Sequence, residues 1–336
     1  MDIFLNIPWE YPVLFLIGII VGFINTMAGG GSLITLPVLI FMGLPSSVAN
    51  GTNRIGILFS SFSAHYGFKS KGINTFPFSI YLGISALLGS LIGAKIAISV
   101  DDDIFNKILS VIIIVVSILI LFKPKTKLNF NSEKKRTKEI VISCIVFFFI
   151  GIYGGFVNAG IGLVVMLFLS YFNKMNLVKV NATKSIVILI YTAAAFLIFL
   201  YNDLVNFPYG ISIALGTLYG GWKASVISVE RGEEIIKVFM IISLIIFIVQ
   251  IVLFFFHVHT LTDSSLYYKK HKEWTHYYPM IFLLRNILLI ISIILVPNLD
   301  KKSSIFALVV QGTYLLVVLI SRPFRKPLDW VRFALV

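Results

Sequence analysis

The sequence predicts an all-α fold, a polytopic transmembrane helical bundle with two pseudo-symmetric halves that each contain a broken helix. Hydrophobic residues make up 58% of the 336 residues and charged residues 13%, and the mean hydropathy is +0.96. This composition is typical of multi-pass membrane proteins and excludes an ordinary soluble domain. At about 20 residues per span, the length leaves room for roughly eight to ten helices.

An interruption of the first apolar segment is the second observation. The run that begins at Tyr11 is broken by Asn25 and by three consecutive glycines, Gly29 to Gly31, and it resumes at Leu33. Glycine lets the backbone leave helical geometry. Inside a bilayer an unpaired backbone N–H or C=O is costly, so unwound backbone survives there only when it is buried in protein or lines a wet cavity. The break therefore predicts a binding site.

The third observation is that this pattern returns about half a chain later. Three anchors recur in the same order and at nearly the same offset. The pairs are residues 22–29 with 155–162, residues 49–53 with 180–184, and Gly89xxxGly93 with Gly216xxxGly220. This indicates an internal duplication, and paired broken segments in corresponding halves are the best sequence pointer to the binding site of a secondary transporter.

The first predicted repeat covers residues 1–122. It has two apolar legs and three full segments, at 11–28, 33–42, 48–68, 76–99 and 104–122. The linker 123–139 follows with seven Lys or Arg against two Glu. Because short cytoplasmic loops are enriched in Lys and Arg, this linker is expected in the cytoplasm.

The second predicted repeat covers residues 140–256. Its legs and full segments lie at 140–158, 163–172, 180–200, 207–226 and 235–256. If each broken element is a re-entrant V, each half has three full crossings and the halves are inverted. Lys174, Lys179 and Arg231 then lie inside and Asp203 outside, as the charge rule favours. If the broken element crosses completely, the halves are parallel. We prefer the inverted arrangement.

A tail over residues 257–336 follows the two repeats. It contains a polar, aromatic loop at 257–278 and two further predicted transmembrane helices, at 279–296 and 303–321. No third copy of the repeat occurs in it. The tail is either a functional addition or a misjoined module.

With these motifs described, the sequence resembles the TauE/SafE (TSUP) family. The matching features are GFINTMAGGGSLITLPVL with the ANGTNR that follows, a weaker second copy GGFVNAGIG with VNATKS, and GSLIGAKIA near Gly89. The resemblance covers residues 11–256 and leaves the tail unassigned. It implies a multi-pass secondary transporter of small anions such as sulfite, organosulfonates or related sulfur-containing anions. We expect such a carrier in the plasma membrane.

The candidate substrate-binding residues lie in the two breaks and in the polar clusters that follow them. Side-chain amides can donate to anion oxygens, and consecutive glycine N–H groups before a helix can bind an anion. Lys184 could supply counter-charge, because intramembrane cations are costly and usually functional. The candidates are Asn25, Gly29, Gly30, Gly31, Asn50, Thr52, Asn53, Asn158, Gly160, Asn181, Thr183 and Lys184.

Each candidate also has a structural interpretation. The asparagines and threonines could be helix caps, and the glycines could serve close packing. Gly89xxxGly93 and Gly216xxxGly220 are expected to allow close helix approach. Lys184 and Arg54 could extend to the membrane interface, an interpretation that we favour for Arg54.

The sequence contains none of the enzyme motifs GxSxG, HExxH, CxxC or P-loop. We therefore expect no catalytic residues, no metal and no cofactor, and energy must come from gradients because a primary pump needs a nucleotide site. The net charge of +13 lies in short inter-span loops, so topology explains it without nucleic acid. Two other functions remain open at this point, an anion channel that uses the glycine amides as a filter and a non-transporting membrane scaffold.

Overall fold

A computed structural model describes residues 8–102, 104–105, 108 and 136–268. All regular structure in these residues is helical, so the all-α prediction is confirmed. The predicted span 104–122 lies almost entirely outside the described residues, as do most of the basic linker 123–139 and both tail spans. The chain divides into two compact units, 1–251 and 252–336. The division into two repeats, a linker and a tail stays a prediction.

The bounds of eight helices lie in the described residues, and seven of these helices begin and end within a few residues of the predicted segments. They are α1 Glu10–Met27, α2 Ser32–Phe41, α3 Ser46–Ser70, α4 Phe78–Ser99, α5 Thr137–Phe156, α6 Ile161–Tyr171, α7 Leu177–Tyr201 and α8 Phe207–Tyr268. The helix α8 is interrupted at Gly232, which has φ 68° and ψ −155°.

The loop predicted over 257–278 is wrong at its start, because α8 continues to Tyr268. Polar residues suggested a loop there. However, neither Gly nor Pro occurs between Gly232 and Tyr268, so no residue in that stretch forces the helix to end.

The two predicted breaks are present in the structure. The helices after them, α2 and α6, have 10 and 11 residues. At about 1.5 Å per residue, each is roughly 15 Å long, about half of a hydrocarbon core of about 30 Å. Neither short helix can cross a bilayer by itself.

Four helices in the described residues are long and apolar enough to cross a membrane, namely α1, α4, α5 and α7. Large apolar side chains on α4 and α5 point out of the protein, for example Leu88, Ile92, Ile145 and Phe149. Such a surface is stable against lipid and unfavourable in water. The chain is an integral, multi-pass membrane protein.

The helices α3 and α7 run antiparallel. Near the start of α3, the Arg54 guanidinium lies 4.4 Å from the ring centroid of Phe199, near the end of α7. Near the end of α3, Phe68 belongs to a buried cluster with Ala182, close to the start of α7. Corresponding helices of inverted halves must run in this way. Internal pseudo-symmetry itself stays a prediction.

An ion pair gives a second test of the topology. Lys71 Nζ lies 2.7 Å from Glu230 Oε1. These residues follow α3 and precede the Gly232 interruption of α8, so both positions lie at the same face of the protein. The parallel arrangement would put them on opposite sides of the membrane. The contact therefore supports the inverted arrangement.

Glycines bring two helix pairs into backbone contact, as expected for both GxxxG motifs. A Cβ on Gly89 or Gly93 of α4 would overlap carbonyl oxygens of α5, and a Cβ on Gly216 or Gly220 of α8 would overlap carbonyl oxygens of α1. Small residues at such contacts let helix backbones approach closely in membranes. Each pair joins a helix from one sequence half to a helix from the other.

Candidate functional site

The two glycine breaks meet. Gly29 has a φ of 83°, and a Cβ built on it would overlap the Cα of Gly162. A Cβ on Gly162 would in turn overlap the Cα of Gly29. Two interruptions separated by more than one hundred residues thus form one contact, where neither position has room for a side chain.

Both short helices begin close to this contact. Gly31 is the N-cap of α2. Gly160 is the N-cap of α6, with a left-handed φ of 70° that glycine adopts without strain. The N-terminus of a helix carries partial positive charge and unpaired N–H groups, which favour an anion. The two breaks therefore place two weakly positive ends in one region.

A cavity adjoins the glycine contact. Its volume is about 20 Å³, enough for about one water molecule. The first break and α3 form one wall, with Asn25, Thr26, Gly29, Ser32, Ile57, Ser60, Ser61 and Ala64. The second break and α7 form the other wall, with Asn158, Ile161, Asn181, Lys184, Ser185 and Ile188.

Asn25 and Asn158, the repeated pair, both line this cavity. The Asn25 Oδ1 accepts a hydrogen bond of 2.8 Å from the Gly31 N–H and so stabilises its own break. The Asn158 Oδ1 accepts one of 2.8 Å from the Tyr191 hydroxyl. Its Nδ2 lies 3.4 Å from Thr192 Oγ1, a long contact that leaves the amide able to turn to another acceptor.

Two of the three predicted glycine donors already have partners. The Gly29 N–H donates to the Ile24 carbonyl at 2.9 Å, and the Gly31 N–H donates to Asn25. An anion could use these N–H groups only after the break rearranges. Side chains on the cavity wall are therefore the more accessible donors in this conformation.

Lys184 and Asn181 reach from α7 to the carboxyl end of α1. Lys184 Nζ donates to the Thr26 carbonyl at 3.0 Å and lies 3.6 Å from Met166 Sδ. Asn181 Nδ2 donates to the Met27 carbonyl at 3.2 Å. Lys184 is only 2% exposed and forms no ion pair with a carboxylate in the described part of the chain.

Asn50 and Arg54 make the corresponding contacts from α3 to the carboxyl end of α5. Asn50 Nδ2 donates to the Phe156 carbonyl at 2.8 Å. Arg54 donates to the carbonyls of Gly154 and Gly155 at 3.2 and 2.5 Å. Arg54 is fully buried, so the interpretation that it extends to the membrane interface is wrong. Its guanidinium binds helix-end carbonyls, where the macrodipole favours a cation.

The remaining candidates of the polar clusters do not line the cavity. Thr52 Oγ1 accepts from the Asn206 N–H at 2.9 Å, and Asn53 Oδ1 accepts from Thr35 Oγ1 at 2.5 Å. Thr183 Oγ1 donates back to the Lys179 carbonyl at 2.8 Å. Adjacent positions on a helix point in different directions, so a polar cluster on consecutive residues cannot all face one cavity.

Sequence reasoning missed the hydroxyl groups of the cavity wall. They belong to Thr26, Ser32, Ser60, Ser61 and Ser185. The Thr26 hydroxyl is buried and has no hydrogen-bond partner among the described residues, and the same holds for Asn181 Oδ1. A signal was available, because serines 60, 61 and 63 interrupt an otherwise apolar stretch of α3.

No group of three or more His, Cys, Asp or Glu in the described residues is arranged to hold a metal ion. The described site offers amides, hydroxyls and one ammonium group. These groups suit an anion with several oxygen acceptors.

The family profile described as "Sulfite exporter TauE/SafE" matches residues 14–251. A "Probable membrane transporter protein" of Haemophilus influenzae is 29% identical over 230 residues, which are 68% of this chain and 89% of the relative. A "Probable membrane transporter protein ORF9" of Sinorhizobium sp is 27% identical over 229 residues, 68% of this chain and 87% of the relative. The Escherichia coli K12 protein YfcA is 25% identical over 242 residues, 72% of this chain and 89% of the relative. No solved structure matches the chain.

Proposed function

The chain belongs to the TauE/SafE family of membrane transporters, and from that premise we propose that it is a secondary transporter of small anions. The proposed cargo class is sulfite, organosulfonates and related sulfur-containing anions. The names of the three relatives give no cargo, so the class rests on the family description and on the chemistry of the cavity.

Lys184 carries this proposal. It is a buried ammonium on the cavity wall without an ion-paired carboxylate in the described residues. Burying a charge without a partner is costly, and intramembrane cations usually mark a pathway for the opposite charge. An anion in the cavity would supply the missing counter-charge.

The other wall residues fit the same cargo. Asn25, Asn158 and Asn181 bring side-chain amides to the cavity, and serine hydroxyls can donate to further oxygens. The N-termini of α2 and α6 add partial positive charge from two directions. A compact oxyanion with several acceptors can use donors that converge in this way.

The small size of the cavity favours a carrier over an open pore. A space for about one water molecule is too small for a cargo with several heavy atoms, so binding requires the walls to separate. Transport by alternating access includes such closed states. Saturable uptake with counterflow in proteoliposomes would support a carrier, and non-saturating single-channel currents would support a channel.

A binding screen with purified protein tests the cargo class. Sulfite, thiosulfate, sulfonates and small carboxylates are added separately while the melting temperature is measured. A ligand at about 100 times its Kd should stabilise the folded state by roughly 2.7 kcal/mol. The stabilisation should be lost in Lys184→Met and kept in Lys95→Met, in which an exposed lysine is removed. If none of these anions stabilises the wild-type protein, the cargo class is wrong.

A further inference from the structure

We propose that the transporter moves as two bodies, each of which contains one helix from the other sequence half, and that the contacts of Arg54 and Lys184 are gates that close the cavity on opposite sides. The first body contains α1, α2, α3 and the part of α8 before Gly232. The second body contains α4, α5, α6 and α7. The inference rests on the proposed transport function, because only a carrier needs two gates.

Contacts between α8 and the helices α1 and α3 define the first body. The backbone of α8 at Gly216 and Gly220 touches the backbone of α1. Thr217 Oγ1 of α8 donates to the Gly56 carbonyl of α3 at 2.8 Å, and Lys71 pairs with Glu230. These contacts hold the part of α8 before Gly232 against two helices of the other sequence half.

The second body is held together in the same way. The backbone of α4 at Gly89 and Gly93 touches the backbone of α5. Ser90 Oγ of α4 also donates to the Tyr191 carbonyl of α7 at 3.1 Å. The α4–α5 and α1–α8 pairs are each in backbone contact at several glycines along their length, whereas Gly29 and Gly162 join the two bodies at one point. Each pair is therefore expected to move as a unit.

The cavity lies between these two bodies. One wall belongs to α1, α2 and α3 with the first break, and the other belongs to α6 and α7 with the second break. Among the side chains that the structure describes, none of α4 or α8 lines the cavity. The boundary between the bodies therefore passes through the cavity. The helices α4 and α8 pack behind the helices that form its walls.

Hydrogen bonds cross this boundary at two places. The Lys184 gate consists of Asn181 and Lys184 with the carbonyls at the end of α1. The Arg54 gate consists of Asn50 and Arg54 with the carbonyls at the end of α5. Each gate joins the second and third turns of a long helix to the last turn of a broken helix in the other body.

The gates lie toward opposite faces of the membrane. Asn50 and Arg54 are close to the start of α3, whereas Asn181 and Lys184 are close to the start of α7. Because α3 and α7 are antiparallel, these starts lie at opposite ends of the bundle. The lining residues Ile57 to Ala64 of α3 come after the Arg54 gate along the helix, between the two ends.

A further backbone contact lies beside each gate. The Ser47 N–H donates to Asp102 Oδ1 at 3.0 Å at the start of α3. The Leu177 N–H donates to Glu233 Oε1 at 3.0 Å at the start of α7. Asp102 follows α4 and Glu233 follows the Gly232 interruption of α8, so each contact joins the start of a gate helix to a residue just beyond a helix of the other body. Opening one gate would separate the bodies at one face while the other gate still holds them at the opposite face, as alternating access requires.

Sided labelling of a cavity cysteine tests the gates. Cys144 is the only cysteine of the chain, so Cys144→Ser provides a cysteine-free background. Ser61→Cys then places one thiol on the cavity wall. A membrane-impermeant maleimide is applied to the two faces separately, in vesicles of opposite orientation, and the labelling rate is measured without any cargo.

Asn50→Ala and Arg54→Met should raise the rate from the face where α3 begins. Asn181→Ala and Lys184→Met should raise it from the face where α7 begins. Each increase should be on the order of tenfold or more, because hydrogen bonds that hold one conformation are lost. The milder Asn50→Ala keeps the test possible if Arg54→Met does not fold, as judged by gel filtration.

Increases from the same face for both pairs of variants would overturn the proposal, and so would unchanged rates in variants that fold.

A pair of cysteines in α1 and α8 tests the composition of the first body. Tyr11→Cys and Tyr209→Cys, whose wild-type rings lie 5.9 Å apart, join α1 to α8 within one body when cross-linked. That cross-link should leave the labelling pattern unchanged, and suppression of labelling by it would contradict the proposed first body. Since no cargo is added, failure of the anion screen would not affect either result.

Discussion

The ammonium of Lys184 lies 3.0 Å from the carbonyl oxygen of Thr26, 158 residues away in the sequence. The contact joins a cation on the cavity wall to the end of the broken helix α1. An anion in the cavity and the helix-end carbonyl would therefore compete for the same ammonium group. This competition links cargo binding to the state of the Lys184 gate.

Replacing Lys184 by Met should reduce anion affinity and transport by on the order of tenfold or more, because a charge-assisted hydrogen bond to the cargo is lost. Binding and uptake into proteoliposomes measure the effect. Lys95→Met is the matched control, since Lys95 is exposed on α4. Equal transport in the two variants would contradict a direct role for Lys184.

Replacing Gly29 by Ala should lower the melting temperature far more than replacing Gly72 by Ala. Both glycines have a left-handed φ, of 83° and 78°, so both substitutions carry a backbone cost of roughly 1–2 kcal/mol. Only at Gly29 does the new Cβ also overlap another backbone, whereas Gly72 has open space. Overpacking adds about 1–3 kcal/mol. Similar melting temperatures would mean that the two breaks do not touch.

Asn25→Ala and Asn158→Ala should separate structural from transport roles. Asn25→Ala removes the hydrogen bond to the Gly31 N–H and should cost about 1 kcal/mol of stability in addition to transport. Asn158→Ala should affect transport by a similar factor and cost at least as much stability, because it leaves the buried Tyr191 hydroxyl without the acceptor that lies 2.8 Å away. Melting curves and uptake rates are compared with Asn202→Ala, an exposed control. Normal flux in both variants would argue against either asparagine as a cargo ligand.

Cysteines at positions 71 and 230 should react with an impermeant thiol reagent from the same side of the membrane. The ion pair between Lys71 and Glu230 requires this. A cysteine in place of Asp203, beyond the end of α7, should react from the opposite side, because α3 and α7 are antiparallel. Labelling of positions 71 and 230 from different sides would contradict the inverted arrangement and support the parallel one.

Much of the architecture could be predicted from local patterns. Apolar runs gave the long helices, because a span must pair its backbone internally and face lipid with its side chains. Repeated glycines gave the two breaks and the two close helix pairs. The prediction failed at the end of α8, where polar residues continue a helix that no Gly or Pro stops.

The candidate site was harder to predict. The cavity is lined by Asn25, Gly29, Asn158, Asn181 and Lys184 from the predicted set, but also by hydroxyl residues that carry no distinctive motif. The remaining predicted residues either lie in the breaks without lining the cavity or bind neighbouring helices. Whether a polar residue of α3 or α7 lines the cavity depends on the direction in which its side chain leaves the helix. A cluster of polar residues in the sequence does not reveal that direction.

The amino-acid sequence alone determined that this chain crosses a membrane as helices and that two of those helices are broken by glycine. Both properties follow from polarity and backbone freedom within a few tens of residues. Only the tertiary structure decided that the breaks touch, that Lys184 binds the carboxyl end of α1 and that Arg54 binds the carboxyl end of α5. It also decided that α4 and α8 each pack against the other half. These contacts join residues that are at least 59 positions apart, and their geometry depends on how whole helices pack rather than on any local pattern.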